Sequence, residues 1–265
     1  MEKLELLLEQ LRSYGSLVVA LSGGVDSSVL AKAAALALGG RAAAVTADSE
    51  LLTAAELQDA KSCAALAGIH HAVIAANDLA VPEIVRNDRE RCYYCKKSRF
   101  SKLTAWAKAH GYAYVADGSN TDDQADYRPG MRAIAELPFV VSPFLQCGWN
   151  KQDIRRQAKA WGLPVWNKPS AACLASRLVY DLPLTAERLA QVEHMESFLQ
   201  SFIQGQLRVR HHGSLARIEA EPAELPKLLA ERQNILAEGR RQGFAYITLD
   251  LEGYRMGSQN EVLDI

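Results

Sequence analysis

The stretch LVVALSGGVDSSVL, residues 17–30, dictates more of the architecture than any other part of the chain. An apolar, β-branched run enters the loop Ser22-Gly23-Gly24-Val25-Asp26-Ser27 and continues as a helix. Two glycines let the backbone pass close to a bound phosphate, and a helix start adds N–H groups and the positive end of the helix dipole. Ser22 and Ser27 supply hydroxyl donors. Asp26 would repel a phosphate directly, so its natural role is through magnesium or in orienting the loop. The spacing is neither the Gly-Lys-Ser/Thr phosphate loop nor the Gly-x-Gly-x-x-Gly dinucleotide turn.

The same strand-to-helix rhythm continues for about 160 residues. LVVAL (17–21), AAAVT (42–46), HAVIA (71–75) and AYVAD (113–117) read as strands, with helices expected over 27–38, 53–67 and 95–110. Thr53-Ala54-Ala55-Glu56 is a capping-box pattern. Such alternation predicts an α/β fold, a doubly wound parallel sheet whose crossover helices cover both faces. Ligands of these sheets lie at the carboxyl ends of the strands, here the loops after Leu21, Thr46 and Asp117. Beyond WGLPVWNKPSAACLASRLVYDLPL the pattern changes to a helix over 185–200, the short strands LRVRHH and LARIEA, helix over 222–241 and a last strand, FAYITLDL. The expected organisation is therefore a domain at 1–166 and a smaller α+β domain at 167–265.

Composition narrows the function classes. Apolar residues make up 49% of the 265, enough for a real core, and the formal net charge is −1, which gives no global electrostatic case for a nucleic-acid partner. MEKLELLLEQLRS reads as an amphipathic helix and lacks the basic start and long apolar segment of an export signal. No apolar run approaches the roughly 20 residues of a membrane span. The expectation is a cytoplasmic protein.

Five cysteines without an export signal point to thiols, metal ligands or catalysis rather than a disulfide framework. Cys63 reads as a buried small hydrophobe, and the apolar neighbours of Cys147 favour packing. Cys92-x-x-Cys95 in RCYYCKK lacks the second close pair that a structural zinc requires. Cys173 in NKPSAACLASR is the natural third member, and three thiolates suit an iron–sulfur cluster with one iron left open. In LRVRHH, Arg208 and Arg210 alternate with apolar residues and fall on one strand face, where they could fork an anion. Glu196 and Glu219 could face this site or bind a metal. The histidine pairs at 70–71 and 211–212 show no ligand spacing with the cysteines.

The loop at 22–27 resembles the PP-loop of the ATP pyrophosphatases, the adenine nucleotide alpha hydrolase-like enzymes that cleave ATP between its α and β phosphates. Residue 2 is Glu rather than the cysteine of an amidotransferase, which raises thiolation by elimination. Together SGGVDSS, TADSELLT, RCYYCKK, DGSNTDDQADYRPG, NKPSAACLASR, RVRHHGSLARIE and YITLDLEGYRMGS make nearly the whole chain resemble the LarE family of ATP-dependent sulfur transferases. The resemblance implies conversion of carboxylates of pyridinium-3,5-biscarboxylic acid mononucleotide to thiocarboxylates through acyl-adenylates, a step in making the nickel-pincer nucleotide cofactor. It implies ATP and Mg2+ bound by Ala20, Ser22, Gly23, Gly24, Asp26, Ser27 and Asp126, and Arg128 beside the activated acyl group. Arg208 and Arg210 are implied as substrate-phosphate contacts in a homo-oligomer.

The family has a form that sacrifices one cysteine and a form in which three cysteines hold a 4Fe-4S cluster. Cys92-x-x-Cys95, with Cys173 one place from the sacrificial position at Ala172, favours the cluster form with Cys92, Cys95 and Cys173 as ligands. Sulfide or a sulfur-donor protein would then resupply it. Sacrifice of Cys173 is the alternative. A tRNA thiolase, which can use the same loop and cluster, is the other, and the near-neutral charge argues against it.

Overall fold

A computed structural model describes residues 3–125, 129–169 and 172–261. Contacts divide the chain into two compact units, Met1–Asp78 with Cys92–Ala171, and Leu79–Arg91 with Ala172–Ile265. The sequence reading draws a single boundary near 167, whereas the contacts group residues 79–91 with the C-terminal residues.

The first unit is built on β1 (Leu17–Ala20), β2 (Ala42–Asp48), β3 (His70–Ala75), β4 (Tyr114–Ala116) and β5 (Val140–Val141). Their order is β3-β2-β1-β4-β5 with every pairing parallel. The order reverses direction at β1, so the crevice between the β1 and β4 ends is the topological switch point where such sheets bind ligands. Leu17, Val18 and Val19 of β1 are fully buried, as expected of a central strand covered on both faces. The helix Val25–Leu38 buries nine residues on every side and fills the core between β1 and the flanking helices. Thr53 caps the helix Ala54–Ala67 with the reciprocal Glu56 contacts that the sequence predicts, and Gly68 closes it in the left-handed conformation. The helix expected to begin at Cys95 begins at Arg91 and runs to Ala109, so both cysteines of RCYYCKK are helical.

The second unit holds β6 (Leu207–His212), β7 (Leu215–Ala220) and β8 (Tyr246–Leu249), with β6 and β7 antiparallel and β8 parallel to β7. The helix Ala186–Leu199 buries Leu189, Val192, Met195 and Leu199. Residues 222–241 form two shorter helices, Leu225–Ala230 and Arg232–Arg241, in place of one continuous helix. Residues 79–91 are stitched into this unit by buried polar groups. Asn87, fully buried at φ +57°, donates Nδ2 to the carbonyls of Val179 (2.8 Å) and Leu182 (2.9 Å) and accepts from the Asp181 N–H. Arg91 donates to Asn87 Oδ1 and to the Ala175 carbonyl. His211 is buried against Phe244, with Nε2 on Gln191 Oε1 (2.9 Å) and Nδ1 accepting the Gly213 N–H (3.2 Å). Burial pushes its pKa down to about 4.

Among the described residues no helix is long and apolar enough to cross a membrane.

Candidate active site

The loop after β1 lies directly against the helix Ala54–Ala67. Gly23 sits at φ +73°, and a Cβ there would fall 2.7 Å from the Glu56 carbonyl oxygen and 2.9 Å from the Ala60 nitrogen. Glycine is thus required twice over, by conformation and by space. The hydroxyls knit the turn: Ser27 Oγ accepts the Ser22 N–H (3.2 Å) and donates to the Gly24 carbonyl (3.2 Å), while Ser28 Oγ donates to the same carbonyl (2.8 Å). No side chain caps the helix that starts at Val25, which leaves its first-turn N–H groups for a ligand. Gly118, just past β4, closes the other wall: a Cβ there would be 3.3 Å from Ser27 N and from Asp26 Cβ.

Asp26 has two unlike oxygens. Oδ2 accepts a charge-assisted hydrogen bond from Lys151 Nζ, at the start of the Asn150-capped helix Lys151–Ala160. Oδ1 is buried and makes no hydrogen bond among the described residues. A buried carboxylate oxygen without a donor is costly, and a hard cation is the partner that suits it. The donor set therefore fits magnesium at the mouth of the phosphate loop.

The loop opens into a cavity of about 320 Å³, within the range of small-molecule sites. Of the residues expected to bind nucleotide, Ala20, Ser22, Asp26 and Ser27 line it, while Gly23 and Gly24 shape the turn without forming the wall. The same cavity carries Thr46, Cys95, Lys96, Arg99 and Asp117. Lys96 Nζ lies 3.6 Å from Asp117 Oδ2, and Arg99 forks Asp78 Oδ2 through Nε (2.9 Å) and Nη2 (2.5 Å) while reaching Ser49 (2.7 Å). Asp78 is fully buried. Sequence reasoning missed Lys96 and Arg99, although the signal was present. Positions 92, 95, 96 and 99 have the i, i+3, i+4, i+7 spacing of one helix face.

Cys92 is exposed and Cys95 half-buried, one turn apart on that helix, the spacing of a soft-metal ligand pair. Cys173 is half-buried in the second unit. Among the described residues no group of three or more His, Cys, Asp or Glu side chains is arranged to hold a metal ion. Cys63 is buried and Cys147 half-buried with Sγ 3.8 Å from the Leu6 carbonyl; burial raises both thiol pKa values, in keeping with packing roles. Asp126 and Arg128 lie outside the described residues.

In the second unit the two arginines of β6 differ. Arg210 is buried and held by several partners: Nε and Nη2 fork Glu219 Oε2 (3.0 and 2.8 Å), Nη1 donates to the Ser176 carbonyl (2.9 Å) and Nη2 also reaches Ser258 Oγ (3.0 Å). Glu219, with no exposed surface, accepts in addition from Arg217 (2.9 Å) and Ser258 (2.9 Å). Arg208 is half-buried, its guanidinium 5.4 Å from the centre of the Tyr254 ring, and burial together with nearby Arg177 lowers its pKa. Glu196 pairs through both oxygens with Arg177 (3.0 Å each). Both glutamates therefore serve arginines.

A model of the asparagine synthase family matches residues 5–122. An uncharacterized protein of Synechocystis sp. is 40% identical over 98% of this chain and 99% of its own length. The pyridinium-3,5-bisthiocarboxylic acid mononucleotide synthase of Lactiplantibacillus plantarum is 35% identical over 97% of this chain and 93% of its own length. An uncharacterized protein of Methanocaldococcus jannaschii is 35% identical over 67% of this chain.

Proposed function

Because the chain belongs to the LarE family of ATP-dependent sulfur transferases, as its likeness to the L. plantarum synthase shows, we propose that it converts carboxylates of pyridinium-3,5-biscarboxylic acid mononucleotide to thiocarboxylates. The observation that carries this reading is the switch-point cavity, where the phosphate loop and the unsatisfied Asp26 oxygen share one wall system with a cysteine. A substrate carboxylate oxygen attacks the α-phosphorus of ATP, and the bond to the pyrophosphate leaving group breaks. A carboxylate is a poor electrophile, and attached AMP supplies the leaving group it lacks. A sulfur nucleophile then attacks the acyl carbon, and the C–O bond to AMP breaks.

This chain's residues divide that work. Ser22, Ser27 and the loop N–H groups bind phosphate oxygens, with Gly23 and Gly24 giving the close approach. Asp26 would hold magnesium, which would supply positive charge to offset the phosphates. Lys96, beside Asp117, faces the negative charge that builds up during adenylation. Arg128 stabilises the acyl-adenylate, and Asp126 binds the nucleotide. Arg208 and Arg210 contact the substrate phosphate, with Glu219 fixing the direction of the Arg210 guanidinium. That unit, residues 167–265 in the sequence reading, serves substrate binding and homo-oligomer formation.

Cys92, Cys95 and Cys173 would hold a 4Fe-4S cluster. Bound there, the cluster supplies a replaceable sulfide and makes the protein catalytic in sulfur. Anaerobically purified protein should be brown, with about four irons per chain, and Cys92→Ala should lose them. With Mg-ATP, sulfide and the pyridinium dicarboxylate mononucleotide it should release pyrophosphate and thiocarboxylate. Absence of substrate-dependent pyrophosphate would sink the reaction. Colourless, iron-free protein that loses mass at Cys173 on turnover would replace the cluster with cysteine sacrifice.

A further inference from the structure

Arg177 is only 5% exposed, and its guanidinium donates to several groups around Cys173. Nε and Nη2 fork the two oxygens of Glu196 at 3.0 Å each. Nη1 donates to the carbonyl of Cys173 (3.1 Å), to the carbonyl of Ala172 and to Ser176 Oγ (3.3 Å). The Cys173 carbonyl also accepts from the Ser176 N–H (2.9 Å) and Ser176 Oγ (2.8 Å). Glu196 is fixed from behind, because its Oε1 accepts the Val209 N–H of β6 (3.0 Å). An unbroken series of contacts thus runs from a sheet strand through a largely buried ion pair to the backbone of one cysteine.

Stability alone does not explain such a pair, since buried ion pairs are often matched or exceeded by apolar residues of the same volume. What the Arg–carboxylate fork does supply is fixed direction. Cys173 stands at φ −60°, ψ 160°, immediately before the short turn Leu174–Arg177. Donors on the carbonyls of both Ala172 and Cys173 fix the two peptide planes that meet at the Cys173 Cα, and with them the line along which Cα–Cβ projects. A sulfur-handling thiol has to be held within about 0.5 Å of its working position.

We propose that Arg177, held by Glu196, is the positioning residue for Cys173. This rests on the reading of Cys173 as a sulfur-handling residue. The test uses the full-length, iron-free protein and hydrogen exchange of residues 173–178, with strand residues 215–220 as the internal reference. Arg177→Met should speed exchange at 173–178 by about tenfold or more and leave the reference unchanged. In the anaerobically loaded enzyme the ratio of thiocarboxylate formed to pyrophosphate released should fall about tenfold. Arg177→Lys, which keeps the charge but loses the fork, should restore only part of both. If Arg177→Met does not fold, Glu196→Gln carries the same two measurements with Arg177 in place. Unchanged exchange at 173–178 overturns the proposal, as does faster exchange with an unaltered product ratio. A wild type that forms no thiocarboxylate would overturn the reaction proposed above, and the exchange result then decides the clamp by itself.

Discussion

Asp26 and Glu219 are both carboxylates set among cationic neighbours, yet one is left incomplete and the other is finished. Glu219 has no exposed surface and meets Arg210, Arg217 and Ser258. Asp26 meets Lys151 through one oxygen and leaves the other buried without a donor. The first pattern belongs to a scaffold, where leaving a charge unmatched would cost stability with no return. The second belongs to a site that a ligand completes. Both carry the same charge, but Glu219 is wholly enclosed while the Asp26 side chain keeps 26% of its surface, and what separates them further is the partnering of each individual oxygen.

The contrast can be broken by removing each carboxylate in turn. Glu219→Ala should have the larger effect, on stability, because it strands buried Arg210: a loss of about 3–5 kcal/mol in urea unfolding. An unfolding midpoint near wild type would show that the network is not structural. Asp26→Asn should leave the unfolding midpoint close to wild type and reduce ATP-dependent pyrophosphate release about a hundredfold, a barrier increase of about 3 kcal/mol. Its residual rate should respond weakly to added magnesium. Equal losses of fold and rate in both variants would erase the distinction.

Acid probes the second unit from another direction. His211 has a folded pKa of about 4, below its ordinary 6.5. Between these values the unfolded chain binds a proton that the folded chain refuses. Stability therefore falls as pH drops through that window, by about 2 kcal/mol from about pH 7 to about pH 5. His211→Asn should flatten this slope, as read by urea midpoints at each pH. The smallest expected effect is in the first unit: Thr53→Ala removes the cap beneath the phosphate loop and should cost about 1 kcal/mol.

How much of this was legible in the sequence depended on whether a feature repeats locally. Four strands of the first sheet and the capping box at Thr53 came from period and chemistry within a dozen residues. β5 is two residues long, too short for any period to register. The phosphate loop was readable because its glycines and serines are contiguous. Lys96 and Arg99 were hidden by the cysteines beside them, although they share a helix face with them. The engagement of Arg210 depends on Glu219 and Ser258, partners nine and 48 residues away, and alternation along one strand could not reveal it.

Residues 79–91 impose an order on folding. Asn87 finds its carbonyl partners 92 and 95 residues later in the chain, at Val179 and Leu182. A growing chain that had completed β1 to β4 would still carry this segment without its partners, since they would not yet have been made. Domains emerging from the ribosome tend to fold as units in order of synthesis. Here the stretch that leads directly into Cys92 has to wait for the C-terminal half. The segment that precedes the helix Arg91–Ala109 therefore settles only after Val179 and Leu182 exist, so its packing is a late event however early its residues are made.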